Sequence, residues 1–383
     1  MRTTKLFKSF FESEKSGGIV LIITTLVSLM LANSDFSSTY INFWHTTVGN
    51  HSIEHWVNDG LMTIFFLLIG LELEREVYIG ELSSLKNAML PLVAAIGGMI
   101  VPALFYSFLN FGTDTKSGFG IPMATDIAFA LGILSLLGNK VPTSLKVFLT
   151  ALAVIDDLGA ILIIAFFYTN ELNINSLFIS LGIFTLLLIF NRLKVRNLIP
   201  YLIGGVFMWY FMLNSGVHAT ITGVLLAFAL PFGNGNKKST SYLLQKALHF
   251  PVAFVILPVF ALANTAIIID ANWHHALSKN YTLGIALGLL LGKPVGIYLT
   301  TFLATKLKIA SLPTDLNWKI IIGTGFLAGI GFTMSIFITL LAFNDSEHIT
   351  NSKIMILVSS LFAGITGLLF LKSTLNKEVI EEI

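Results

Sequence analysis

Residues 145–168 read LKVFLTALAVIDDLGAILIIAFFY, a long apolar stretch with two adjacent aspartates, Asp156 and Asp157, at its middle. A helix needs about 20 such residues to cross the hydrocarbon core of a bilayer, so the stretch has the length of a membrane span. A carboxylate at that depth costs several kcal/mol, by scales that disagree, and must face a protein interior or a wet cavity. Neighbours on a helix diverge by about 100°. The two carboxylates therefore cannot face one spot equally. One can hold a fixed partner while the other faces water.

The rest of the chain repeats the apolar pattern. Of 383 residues, 55% are hydrophobic and 11% charged. A soluble domain carries about 25% charged residues, so this chain has too few to cover a globule with a watery surface. Apolar segments recur at 17–33, 59–80, 88–109, 120–138, 145–168, 174–190, 198–213, 217–231, 248–268, 282–304, 320–342 and 353–371. These give twelve expected helices. The first follows Arg2, Lys5 and Lys8 like a secretory signal, but no small-residue cleavage pattern follows it, so it reads as a retained helix. Residues 1–16 read as a short surface helix with Phe7, Phe10 and Phe11 on its apolar face. The absence of cysteine excludes disulfides, thiolate metal sites and cysteine nucleophiles.

Charge placement tests the count. With the N-terminus in the cytoplasm and strict alternation, nineteen of the 23 lysines and arginines fall on the cytoplasmic side. Lys116, Lys279 and Lys353 fall outside, and Lys293 alone lies inside a span. That asymmetry is the positive-inside rule, and one helix more or fewer would invert every later loop. Both termini are therefore expected in the cytoplasm. The outer connection over 34–58 has no basic residue except histidine, and its Gly49-Asn50 pair leaves a short hairpin and an irregular loop both open.

Lys293 is the only intramembrane cation and the natural partner for one of the two aspartates. Asp126 is the third acid at similar depth; Asp59, Glu72 and His218 lie nearer span ends. For a single buried acid the plain alternative is a structural hydrogen bond, but three acids and one lysine point to a functional cluster. Burial and a neighbouring carboxylate favour a protonated acid, whereas an ammonium favours the charged form. Such a balance brings proton exchange towards physiological pH. Hard carboxylate oxygens also suit Na+ or Li+, so one group can hold a proton or a small cation in competition.

Two spans carry helix-breaking sequence. The fourth reads GFGIPMATD over 118–126, and the eleventh reads GTGFLAGIGFT over 323–333. Non-helical backbone at membrane depth persists only where protein or a water-filled cavity satisfies it. Small residues also serve close helix packing, but Thr125-Asp126 and Thr333 at the two breaks favour true interruptions. The half-helix ends leave partial charges. Asp126 can offset the positive ends and Lys293 the negative ones.

Six segments carry a resemblance: AAIGGMIVPA at 94–103, ATDIAFA at 124–130, IDDLGA at 155–160, SGVHAT at 215–220, GKP at 292–294 and GIGFTMS at 329–335. Together and in this order, nearly end to end, they resemble the NhaA family of bacterial Na+/H+ antiporters. The resemblance implies an all-α multi-pass membrane protein of twelve transmembrane helices. Residues 1–383 would form a single transporter domain, with inverted-topology repeats at about 88–168 and 282–371 and the broken fourth and eleventh helices crossing at the midplane. It implies electrogenic, pH-regulated exchange of Na+ or Li+ for protons by alternating access in the bacterial inner membrane. Asp157 matches the central ion- and proton-binding acid, and Asp156 its neighbour, which can pair with the lysine matched by Lys293. Thr125 and Asp126 match the unwound part of helix four, and Asp59 a supporting acid. Glu72, Arg75 and Glu76 match a cytoplasmic pH-sensing cluster, and their spacing puts them on one helix face, where a plain solvated face is the competing reading. His218 matches a histidine that tunes the pH response, or else is a packed polar residue. The implied partners are the lipid bilayer, the transported ions and a second copy in a homodimer, with no cofactor and no nucleic acid. Gln245 stands where the family has a glutamate, Glu74 where it has a basic residue, and the first outer loop, which forms the dimer hairpin in the family, is shorter.

The residues also admit a sodium-coupled symporter, an intramembrane aspartyl protease or a channel. The protease lacks a Gly-x-Gly-Asp stretch and leaves Lys293 unused; a channel needs no titrating acids. The charge count yields a first prediction. Green fluorescent protein fused to the C-terminus should fluoresce, and alkaline phosphatase fused there should be inactive. An active phosphatase would overturn the twelve-span alternation.

Overall fold

Backbone groups in lipid must find partners within the protein, and helices do this segment by segment. The computed structural model describes residues 5–169, 172–233, 235–269 and 273–381, with the backbone alone at 5–15, 139, 275 and 377–381. The principal helices are α1 (Lys5–Ala32), α2 (Ser37–His45), α3 (Ile53–Ile79), α4 (Leu85–Leu109), α5 (Ile127–Ser135), α6 (Thr143–Phe167) and α7 (Ile174–Arg192). They continue as α8 (Ile199–Leu213), α9 (Ile221–Ala229), α10 (Thr240–Asn264), α11 (Asn280–Lys306), α12 (Trp318–Ala328), α13 (Phe332–Ala342) and α14 (Ser346–Glu381). The side chains of Phe7, Phe10 and Phe11, and so the expected amphipathic face, lie outside the described residues.

Each of the twelve apolar segments holds helix, but length and composition alone establish fewer crossings. Among the described residues seven helices are long and apolar enough to cross a membrane, or up to ten if each of three bent pairs is one span. One of those pairs, at the end of α1, bends by 113° into α2. The shortfall falls on the seventh and eighth segments. α8 has 15 residues and α9 only 9, about 14 Å at 1.5 Å per residue. In the expected span over 217–231 helix begins only at Ile221, after a turn in which Gly216 takes φ +85°.

In the outer connection the hairpin forms. Thr47 pairs with Ser52 and Val48 with His51. Gly49, at φ +69°, takes the first central position of the two-residue turn, a place that favours glycine.

The chain divides into two compact units. One comprises Met1–Leu29, Ser84–Ala160 and Ile267–Ile383; the other comprises Met30–Ser83 and Ile161–Ala266. In the first, α4 and α11 pack backbone to backbone. A Cβ at Gly296 would stand 2.2 Å from the Gly97 carbonyl oxygen, so only glycine permits this approach. The contact fixes the height of α11 one turn beyond Lys293. The expected breaks are also in this unit. The fourth segment is a 3-10 helix over Asp114–Met123, an extended stretch over 124–126, and then α5, bent by 40°. The eleventh bends by 49° between α12 and α13.

In the second unit, α3 and α9 meet just as closely. A Cβ at Gly223 would stand 2.2 Å from the Thr63 carbonyl oxygen. Leu67, Leu71, Leu226 and Ala227 continue that contact into a buried core with Tyr201 and Met208. Both α3 and α11 contain a π turn, over Trp56–Leu61 and Gly288–Gly292. Such turns recur at functional sites; the first holds Asp59 and the second ends beside Lys293.

Candidate functional site

The two interruptions in the first unit touch each other. The Asp126 backbone N–H donates to the Ile330 carbonyl at 2.7 Å, and Ser335 Oγ donates to the Ile121 carbonyl at 2.6 Å. Each break thus satisfies backbone groups that the other leaves open.

Asp126 stands at the head of two helices. Its Oδ1 accepts from the Phe129 N–H at 2.9 Å, which caps α5. Its Oδ2 accepts from the Thr333 N–H at 3.1 Å and from Thr333 Oγ1 at 2.5 Å, in the first turn of α13. A carboxylate there is favoured by unpaired N–H donors and by the positive ends of both helices.

Lys293, Asp156 and Thr125 form a second knot, all buried. Lys293 Nζ lies 2.5 Å from Asp156 Oδ2 and 2.9 Å from Thr125 Oγ1. Thr125 Oγ1 also lies 2.7 Å from Asp156 Oδ2 and 2.8 Å from the Ala328 carbonyl at the end of α12. A threonine hydroxyl has one proton, so it donates to one of these two acceptors at a time. Thr125 thus links the lysine to the C-terminal end of α12.

Asp157, one residue on, is turned away from this knot. It is wholly buried, and neither carboxylate oxygen has a hydrogen-bond partner among the described residues. A buried acceptor pair of this kind is costly unless a proton or a cation completes it. The question left open by the residues, which aspartate the lysine takes, is answered by the geometry: it takes Asp156. Among the described residues no three His, Cys, Asp or Glu side chains cluster to hold a metal ion.

The other expected residues lie in the second unit. Asp59 meets His55 Nε2 at 3.2 Å, and its carbonyl accepts from Trp209 Nε1 at 3.2 Å. His218 Nε2 sits 3.0 Å from the Tyr168 carbonyl. Glu72 Oε1 faces His249 Nε2 at 3.6 Å. Arg75 lies over the Tyr242 ring at 5.2 Å, and Glu76 Oε2 accepts from the Glu81 N–H at 3.0 Å. The helix face of Glu72, Arg75 and Glu76 is therefore not a plain solvated face: Glu72 is buried and each of the three has a contact of its own.

Three partners of these residues escape a reading of the sequence: His249, His55 and Ser241. His249 lies in the ninth segment and was a visible ionisable residue inside a span. His55 stands one turn from Asp59, a spacing that also signals contact. Glu74 is buried, with its carboxylate 3.1 Å from Ser241 Oγ; nothing in the sequence pointed to Ser241.

Helices long enough to span a bilayer, with ionisable groups buried among them at paired helix breaks, define a multi-pass membrane transporter. The sequence model of the family described as Na+/H+ antiporter 1 matches residues 8–371, and the chain belongs to that family. It is 68% identical over 381 residues to the Na(+)/H(+) antiporter NhaA of Flavobacterium psychrophilum, covering 100% of this chain and 99% of the relative. It is 63% identical over 376 residues to Na(+)/H(+) antiporter NhaA 1 of Flavobacterium johnsoniae, covering 98% and 99%. To the Na(+)/H(+) antiporter NhaA of Cytophaga hutchinsonii it is 61% identical over 383 residues, covering 100% and 99%.

The knot around Lys293 makes a direct prediction. Lys293→Ala leaves Asp156 buried without its cation and should cost about 3–5 kcal/mol of stability. Adding Asp156→Asn should restore part of it, read as detergent melting temperatures at two pH values. A double variant that melts no higher than Lys293→Ala would contradict the pair, and recovery with Asp157→Asn instead would move it to Asp157.

Proposed function

We propose that Asp157 is where Na+ (or Li+) and H+ compete in this chain, with Asp156, held by Lys293 and Thr125, as the second carboxylate of the site. Family membership makes the chain a sodium–proton exchanger of the membrane, a transporter and not an enzyme. The symporter, protease and channel readings have no support from it.

The observation that carries the site assignment is the unequal satisfaction of two adjacent aspartates. Asp156 Oδ2 is held by Lys293 and Thr125, whereas both oxygens of Asp157 lack a hydrogen bond among the described residues. A proton neutralises Asp157; a dehydrated Na+ offers it the same neutralisation through hard oxygen coordination. Occupancy by one excludes the other, and that exclusion couples the two fluxes. A second carboxylate, paired with an amine, provides a further titrating site. More than one proton can then move per sodium ion, which electrogenic exchange requires.

The wider reading places twelve helices in a bacterial inner membrane, with both termini cytoplasmic and repeats at about 88–168 and 282–371. The positive-inside asymmetry and the two broken segments at corresponding places in those repeats support it. Alternating access would expose Asp157 to one side at a time. A homodimer would use the outer hairpin. Asp59 supports transport, and Glu72, Arg75, Glu76 and His218 set the pH response. The buried Glu72–His249 contact favours the last assignment, because protonation of either partner changes its energy.

Two experiments test this. In proteoliposomes with an imposed pH gradient, the parent protein should take up 22Na+ with counter-movement of protons. Asp157→Asn should fold, insert and move no sodium above background; substantial exchange by that variant would sink the assignment. Neutralising Glu72, Arg75 and Glu76 should move the midpoint of the pH–rate profile by about one unit while the maximal rate is kept. An unchanged profile would reduce the three to a structural role.

A further inference from the structure

We propose that a cleft in the first unit, between the end of α5 and the C-terminal part of α14, binds an anionic phospholipid. Its headgroup phosphate would sit on Lys140 and Lys372, and an acyl chain would lie along the leucine wall. This site is separate from the ion site and does not rest on the assignment of Asp157.

The cleft has a volume of about 390 Å³ and is lined by five leucines, two lysines and Asn376. Its chemistry is divided. Leu136 and Leu369 are 60% and 59% exposed, a state that water penalises and lipid does not. Lys140, Lys372 and Asn376 make up the polar part. Apolar wall and cationic rim in one cleft fit an amphiphile; a free phosphate would use only the rim.

The rim is also built. Lys140 Nζ donates to Asn376 Oδ1 at 2.7 Å, tying the turn after α5 to α14 and holding the ammonium at the cleft mouth. An amide oxygen satisfies one donor and leaves the charge in place. Among the described residues no carboxylate lines the cleft and neither lysine forms an ion pair. Both lysines belong to the set that the charge count assigns to the cytoplasmic side. There lysines beside a span reach the headgroup level while their stems lie along apolar surface, and anionic lipids attract them.

The test uses the full-length protein in neutral detergent, with native mass spectrometry to count bound lipid and thermal melting as a second readout. Phosphatidylglycerol should bind and raise the melting temperature, and phosphatidylcholine of the same chains should do neither to the same extent. Replacing one lysine, as in Lys140→Gln or Lys372→Gln, should weaken phosphatidylglycerol binding about fivefold, and the pair together roughly 25-fold. The paired arginine variant should retain binding. Lys86→Gln with Lys319→Gln, which removes the same charge elsewhere, should leave it unchanged. Should the glutamine pair fold poorly, the parent protein still decides the matter: added salt should shrink the phosphatidylglycerol increment and spare any phosphatidylcholine increment. Equal phosphatidylglycerol binding by parent and glutamine pair would overturn the proposal. So would equal stabilisation by phosphatidylcholine, or by inorganic phosphate alone.

Discussion

The contact between Lys293 and Asp156 is the constraint on which the core depends. An ammonium and a carboxylate have both been taken out of water, at a cost of several kcal/mol for each. Their separation of 2.5 Å and the hydroxyl of Thr125 offset that cost. The same contact decides what Asp157 can be. Helical geometry turns adjacent side chains about 100° apart, so holding Asp156 on the lysine directs Asp157 elsewhere. One aspartate is fixed so that its neighbour can remain unsatisfied.

Everything around the pair keeps Lys293 at its depth. Gly97 and Gly296 let α4 and α11 meet backbone to backbone, which sets the height of Lys293. The π turn over Gly288–Gly292 and the following Pro294 loosen the helical hydrogen bonding on either side of it. Across from it, two helices stop short and meet. The Thr125 hydroxyl links the lysine to the end of α12, while Asp126 gathers donors from the starts of α5 and α13. Negative helix ends therefore see the cation and positive ends see the anion. The breaks are held where opposite partial charges are matched at close range.

Much of this was legible in the sequence, for a definite reason. Charge in lipid is so costly that each intramembrane Asp or Lys announces itself, so Asp126, Asp156, Asp157 and Lys293 stood out. Glycine, proline and threonine at 118–126 and 323–333 marked both breaks for the same reason. What stayed hidden depended on contacts between distant segments. Ser241 beside Glu74 is an ordinary serine until α3 and α10 are packed together. The pairing of Lys293 with Asp156 and not Asp157 needed the rotation of α6, which a one-dimensional pattern leaves open. The eighth segment is short of a span by length alone: α9 has 9 residues, and its Gly223 packs against the α3 backbone.

Exchange at this site requires one carboxylate to give up a proton as it takes sodium. Infrared difference spectroscopy on the purified protein, with and without Na+ at fixed pH, reads this directly. A protonated carboxyl should disappear as sodium binds and a carboxylate should appear, and both bands should be absent from Asp157→Asn. An identical difference spectrum from Asp157→Asn would contradict the account, because the exchanging proton would then reside on another group.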